Sequence, residues 1–370
     1  MKKYLKAALV GIIFLFALIN GSGWGMVYKT EYLMYMIMAL ISIMLVLRSI
    51  RVGAQIGKKK IAPVLLLGTY AFVISSLNGR YDHAMGLMMP FTMTVFFAHI
   101  SINNTEAKYI GLVTLGASLG LLILYTQTNI FSGWNDNTVA MLAFFGYACF
   151  MGVRAYTSKR KGIVILFSLL FLFLMLQTDS RTSSICAVLL AVAAIFQSFT
   201  ERICISKRWQ FALVHFALIV AIIISLIGIT PLKSSLDIWS YQYLKKPFFN
   251  GRDELARRGF AELVNSVFLG VGYFLRINWH NWAITILTSY GIIGYFSWVT
   301  IIKQIIDTGS KYTKDGIVLG LLASVLMVFV QQATELGLIG ASNSNPIPYM
   351  MFGMILGRIK YLRKIQKVKR

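Results

Sequence analysis

Apolar runs of helical length recur along nearly the whole chain, separated by short polar breaks. A bilayer core takes roughly 20 apolar residues per helix, and the pattern predicts about twelve transmembrane helices. Their apolar cores run over Tyr4–Ile19, Tyr32–Leu47, Ile61–Leu77, Ala84–Ile100, Ile110–Tyr125 and Thr138–Val153. The second half continues with Ile163–Thr178, Thr182–Phe199, Phe211–Ile229, Trp282–Ile302, Ile317–Gln331 and Ile347–Leu356. Only one polar interval is long, Thr230 to Asn281, between the ninth and tenth spans. Within it Phe260, Leu263, Val264, Val267 and Phe268 fall at helical spacing, with Arg257, Arg258, Glu262 and Asn265 on other faces. That spacing predicts an amphipathic helix lying on the outer surface. The expectation is an all-α integral membrane protein: a single polytopic domain over 1–370 with one long extracytoplasmic loop, 230–281.

Composition agrees with this class: 57% of the 370 residues are hydrophobic and 13% charged. The formal charge of +23 would point to nucleic acid in a soluble protein. Here its distribution gives it another meaning. If the N-terminus is cytoplasmic, alternate loops on the inner side hold 26 Lys and Arg residues and those on the outer side 10. Cytoplasmic loops carry such an excess, so both termini are placed inside, and nucleic acid is not an expected partner. MKKYLKAALVGIIFLFALI is followed by no convincing small-x-small cleavage site and by many further apolar runs, and reads as a retained first helix. The tail RIKYLRKIQKVKR reads as an orientation determinant against anionic head groups. Seven of the ten outer cations sit in the long loop, against the orientation rule, which suggests an anionic ligand outside. The three cysteines support neither a disulfide framework nor a metal site.

Few residues can carry chemistry. His280 lies between Trp279 and Trp282 at the mouth of the tenth span. Imidazole titrates near neutrality and can take a proton from a hydroxyl; the alternative is that the three rings form an interfacial belt. Arg181, in TDSRTSS, and Arg252, in NGRDELARRG, can bind phosphate bidentately. Alternatively Arg181 anchors the interface beside a helix cap made by Asp179 or Ser180, and Arg252 pairs with Asp253 or Glu254. Asn135-Asp136-Asn137 is expected to cap the sixth span, with sugar binding as the alternative. Asp82-His83 matches no metal motif, and His99 and His215 are expected to be structural. With no GxxxxGK[ST] or HExxH sequence, neither nucleotide hydrolysis nor a metal cofactor is expected.

In chain order come Ser180-Arg181, Gly251-Arg252 in the long loop, a Gly270-x-Gly272 turn, His280-Asn281 through Leu287 to Gly291 and Gly294, and NPIPYMMFGMILG over 345–357. This order resembles the O-antigen ligase and polymerase (Wzy-like) family of membrane glycosyltransferases. The resemblance implies a metal-independent, cofactor-free polymerase of lipid-linked oligosaccharide repeat units, for capsule, exopolysaccharide or O-antigen. It further implies that Arg181 and Arg252 bind the pyrophosphate of a polyprenyl-pyrophosphate-linked donor at the outer face of the cytoplasmic membrane, and that His280 is the base. Membrane lipids and other polysaccharide-assembly proteins are the implied partners. A ligase of finished glycan and, in a different class, a lipid-linked oligosaccharide flippase are the alternatives. SSLDIWSYQYLKKPFFN, 234–250, matches no motif of the family.

Overall fold

The computed structural model describes residues 2–21, isolated positions between 33 and 47, and 58–128, 135–157, 161–178, 180–275, 277–339 and 345–368. The second predicted span falls mostly outside these residues. The described residues are helical, with no strand among them. In chain order the helices are α1 (Lys2–Gly21), α2 (Lys58–Leu77), α3 (Tyr81–Met88), α4 (Pro90–His99), α5 (Asn104–Gln127), α6 (Asp136–Arg154), α7 (Lys161–Met175) and α8 (Arg181–Ile195). They continue with α9 (Gln197–Ile205), α10 (Lys207–Val214), α11 (Phe216–Ile227), α12 (Leu232–Leu244), α13 (Arg252–Val264), α14 (Trp282–Gly309), α15 (Gly316–Gln331) and α16 (Pro346–Val368).

Every predicted run beyond 32–47 coincides with a helix or a pair of helices, but fewer of them meet the length of a membrane span. Three do so by length and composition, α5, α6 and α14 with its following turn; counting the bent pairs α8–α9 and α10–α11 as one span each gives five. Twelve is therefore more than the described helices support. The pairs bend by 105° and 56°, so the runs 182–199 and 211–229 are not straight rods.

α6 forms the centre of the core. Its residues from Val139 to Val153 are buried without interruption, because α1, α5, α8 and α15 surround it. A helix apolar on every side is stable only when it is enclosed in this way. At one end of the body Arg358 is buried, and its guanidinium bridges Asp315 (2.7 and 3.1 Å), Asn104 Oδ1 (2.6 Å) and the Ile102 carbonyl (3.0 Å). Lys6 reaches Glu106 at 2.6 Å in the same region. Arg358 is thus a packed residue, and not one of the head-group contacts expected of the tail. These contacts join loops that the charge pattern places on one side, whereas Arg181, Arg252 and Asn135, from the opposite set, meet at a common cleft.

α14 is broken at Gly291, with φ 61° and ψ −167°, a conformation open essentially to glycine alone. The segment 267–272 fits into the break. Val271 and Gly272 donate their N–H groups to the Thr288 and Ser289 carbonyls at 3.0 and 2.7 Å, and the Val267 and Phe268 carbonyls accept from Ile292 and Ile293 at 3.0 and 3.3 Å. A Cβ on Gly291 would lie 2.2 Å from the Phe268 carbonyl oxygen. The glycines at 270 and 291 are therefore explained by an interlock of two backbones, and Gly272 by its approach to Ile74 on α2 and to Asn78 just beyond it.

The long loop departs from its expected pattern. α13 ends at Val264, so Val267 and Phe268 lie beyond it, and Val264 and Phe268 are 74% and 68% exposed. Its buried residues are Asp253, Ala256 and Gly259, while Phe260 and Leu263 of the expected stripe are half-buried against the core. A Cβ on Gly259 would meet Ile284 at 2.3 Å, so the small residues let α13 lie close against α14. Helical spacing alone could not show where the helix stops or which face is covered.

Candidate functional site

A cleft of about 630 Å³ opens at the end of the body where α6 and α8 begin and α15 finishes. Its walls include Asn135, Asp136, Arg181, Trp239, Phe248, Arg252 and Glu335. Two of the three site residues expected from the sequence, Arg181 and Arg252, thus face one cavity although 71 positions apart.

Arg181 is the first residue of α8. Its guanidinium reaches Ser240 Oγ at 3.5 Å and the Pro247 carbonyl at 3.2 Å, both uncharged acceptors. Ser180 precedes the helix but makes no side-chain cap bond, and Asp179 lies outside the described residues. The Pro247 contact belongs to a strap joining α12 to α13. Ser240 Oγ donates to the Lys246 carbonyl at 2.7 Å, and Asp237 accepts the Phe248 N–H at 2.8 Å. The Lys233 ammonium beside Asp237, 2.8 Å away, holds that carboxyl below the usual carboxylate range, and the Phe248 N–H adds to the effect. This is the stretch that matches no motif, and it builds one wall of the cleft.

Arg252 opens α13 after Gly251, which takes a left-handed conformation at φ 79°. Neither Asp253 nor Glu254 is its partner. Its Nε donates to the Thr334 carbonyl at 2.9 Å and its Nη2 to Glu335 Oε1 at 2.7 Å. Asp253 is buried, with Arg257 at 3.8 Å and Lys233 at 4.0 Å. Glu335 has its side chain only 5% exposed. Sequence reasoning missed this residue. The available signal was a lone carboxylate in QQATELG at the end of an apolar run, since an unpaired buried charge is costly and implies a partner.

His280 does not line the cleft. It stands beside it, with Nδ1 3.7 Å from Glu335 Oε2 and the side chain 28% exposed. Its backbone is left-handed at φ 49°, and its N–H donates to Asn278 Oδ1 at 2.9 Å. Nδ1 is buried with no hydrogen-bond partner. The neighbouring tryptophans are not an interfacial belt. Trp279 and Trp282 are 2% and 0% exposed, and Trp282 stacks on Tyr295 at 5.6 Å and packs against Trp298 and Phe329. Asn281 is a structural joint. It caps α14 by accepting from Ala283 and Ile284, and its amide donates to the Ala217 and Ala333 carbonyls.

The remaining candidates make structural contacts, and Asn135 also lines the cleft. Asn135 caps α6, as expected, by accepting the Asn137 N–H at 2.9 Å. His83 accepts the Phe274 N–H at Nδ1, 2.8 Å away, which ties the 270–275 segment to α3, and burial pushes its imidazole below the usual range. His99 meets the Val95 carbonyl, and His215, at the bend between α10 and α11, meets the Tyr295 hydroxyl at 2.6 Å. No protein-family model, no curated protein and no solved structure matches this chain.

Proposed function

We propose that the protein is a polytopic glycosyltransferase of the cytoplasmic membrane, of the Wzy-like kind, polymerising lipid-linked oligosaccharide repeat units at the outer face. The observation that carries this reading is the meeting of Arg181 and Arg252 at one cleft, with His280 beside the Glu335 that forms part of its wall. The order of Arg181, Arg252, the glycine turn and His280-Asn281 along the chain supports it, as does the charge alternation that puts both termini inside. In this reading the chain crosses the bilayer about twelve times, its shorter and bent helices included.

The chemistry follows from the residue types. A diphosphate leaves with its negative charge intact, so it needs cationic donors more than a proton, and Arg181 and Arg252 supply them. The acceptor hydroxyl must lose its proton as its oxygen bonds to the anomeric carbon, and His280 takes that proton. The glycosyl-diphosphate bond supplies the driving force, so no nucleotide is needed to drive the reaction. Transfer to a different acceptor, as by a ligase, uses the same groups. The test is purified protein in lipid with a defined polyprenyl-pyrophosphate-linked repeat unit. A ladder of longer glycan, lost in His280→Gln at equal expression, is the expected result. Absence of any ladder or transfer with a range of such donors would overturn the reading.

A further inference from the structure

We infer that Glu335 is the positioning residue for His280, and that Arg252 has a second task, holding Glu335 in place. This rests on the glycosyl-transfer reading for the purpose of the proton transfer, although the positioning itself can be measured without it.

The argument starts from what each oxygen of Glu335 faces. Oε1 receives Arg252 Nη2 at 2.7 Å, and Arg252 Nε is fixed on the Thr334 carbonyl at 2.9 Å. A guanidinium bound at two points to adjacent residues fixes the direction of the carboxylate as well as neutralising it. Oε2 then lies 3.7 Å from His280 Nδ1. That nitrogen is buried and has no other partner. A buried polar atom without a partner calls for an explanation, and a carboxylate oxygen about an ångström beyond hydrogen-bond length supplies it. A small rotation of either side chain closes the contact. The backbone contributes too, since His280 is held left-handed at φ 49° between Asn278, which receives its N–H, and the buried cap Asn281.

A neutral imidazole carries one proton, and the hydrogen bond made by one nitrogen decides which nitrogen keeps its lone pair. With the proton on Nδ1 facing Glu335, Nε2 is the basic atom on a ring that remains partly exposed. In the transfer, the acceptor oxygen bonds to the anomeric carbon and its proton passes to Nε2. The bond from that carbon to the diphosphate oxygen breaks, and its electron pair leaves with the diphosphate. Glu335 takes up no proton in this step and faces the imidazolium through Nδ1–H. Arg181, whose partners are the uncharged Ser240 and Pro247 oxygens, keeps its charge for the leaving group.

The experiment is nitrogen NMR of the full-length protein, labelled at the histidine rings, in lipid nanodiscs at pH 9, with the His280 signals assigned by their loss in His280→Gln. The parent is expected to hold His280 mainly as the Nδ1–H tautomer. Glu335→Gln, and Arg252→Met which releases the carboxylate, should both shift the population toward Nε2–H. A parent already dominated by Nε2–H overturns the inference without any variant, and so does an unchanged tautomer in a folded Glu335→Gln protein. In the ladder assay Glu335→Gln should lower kcat on the order of tenfold or more with the donor KM unchanged. A ladder assay that fails with the parent overturns the transfer reading alone, because the tautomer populations are read independently of turnover.

Discussion

Gly291→Ala tests the interlock that shapes α14 and places His280 and Asn281 at its mouth. Alanine at φ 61°, ψ −167° carries a strain of about 1–3 kcal/mol. Its Cβ would also meet the Phe268 carbonyl oxygen at 2.2 Å and the Phe268 carbonyl carbon at 2.3 Å. Backbone atoms cannot rotate out of the way, so the 267–272 segment must withdraw. Four hydrogen bonds cross that boundary, from Val271, Gly272, Ile292 and Ile293. Losing two of them costs about 1 kcal/mol each, and with the strain the expected loss is about 3–5 kcal/mol. At roughly 2 °C per kcal/mol for a chain of this size, the unfolding midpoint should fall by about 6 °C or more. The assay is thermal unfolding in one detergent, followed by the fluorescence of Trp282 and Trp298 on α14 itself. Gly116→Ala in α5 is the control, since a Cβ there meets no atom within 4 Å, and replacing a mid-helix glycine with alanine should stabilise by up to about 1 kcal/mol. If Gly291→Ala unfolds at the parental temperature, the backbone interlock is not what holds this part of the fold.

Trp282→Ala should destabilise by about 3–5 kcal/mol, as for a buried core aromatic, whereas an interfacial anchor would cost far less; denaturation in detergent distinguishes the two. Arg252→Lys should retain more transfer activity than Arg252→Ala yet fall below the parent, because the ammonium keeps the charge and loses the fork; equal, full activity in both would remove Arg252 from the site. For topology, single cysteines at Ser235 and at the exposed Lys314 should differ, with impermeant reagent labelling only the former in intact cells. The native thiols are buried and should stay silent. The His83 imidazole is held below its ordinary range by burial, so its contribution to stability is present above about pH 6.5 and is lost as pH falls through the folded value. Unfolding midpoints measured between pH 8 and 5 should therefore drop toward acid, and His83→Gln should flatten part of that drop.

Much of the fold is legible because apolar runs are nearly sufficient to specify helices in such a chain. What they could not show was where a helix bends. The α8–α9 elbow at Phe196 has neither proline nor glycine at the bend, and nothing in the run 182–199 marks it. Arg181 and Arg252 were legible as candidates because a guanidinium among Ser and Thr in a short turn, or in a basic loop, suits phosphate, and because they stand in the order of the Wzy-like family's motifs. Glu335 was marked only as a lone carboxylate at the end of an apolar run, and its partners were not legible, since it shares no motif or nearby position with Arg252 or His280 and is joined to them only by the return of α15 to the cleft. The misread tryptophans have the same cause. A Trp-His-Asn-Trp run has one composition whether its rings meet lipid or protein, and the partners that bury Trp282 lie at Tyr295, Trp298 and Phe329.

The broken helix is the feature that most favours a transporter, since unwound segments at mid-membrane commonly form substrate sites. Its chemistry here argues otherwise. In a transport site the freed carbonyls and N–H groups line a cavity and await an ion or substrate. At Gly291 they are already used: Thr288 and Ser289 receive Val271 and Gly272, and Ile292 and Ile293 reach Val267 and Phe268. The Ser75 hydroxyl donates to the Gly272 carbonyl at 2.6 Å, and the Tyr70 hydroxyl to the Leu269 and Tyr290 carbonyls at 2.9 Å each. The break is therefore filled by protein, and its effect is to anchor the 267–275 segment that leads directly to His280. Arg181, Arg252 and Glu335 lie instead at the cleft. On the proposed glycosyl-transfer reading, this anchored segment is the mount of the base beside the cleft, and alternating access would need that same mount to yield.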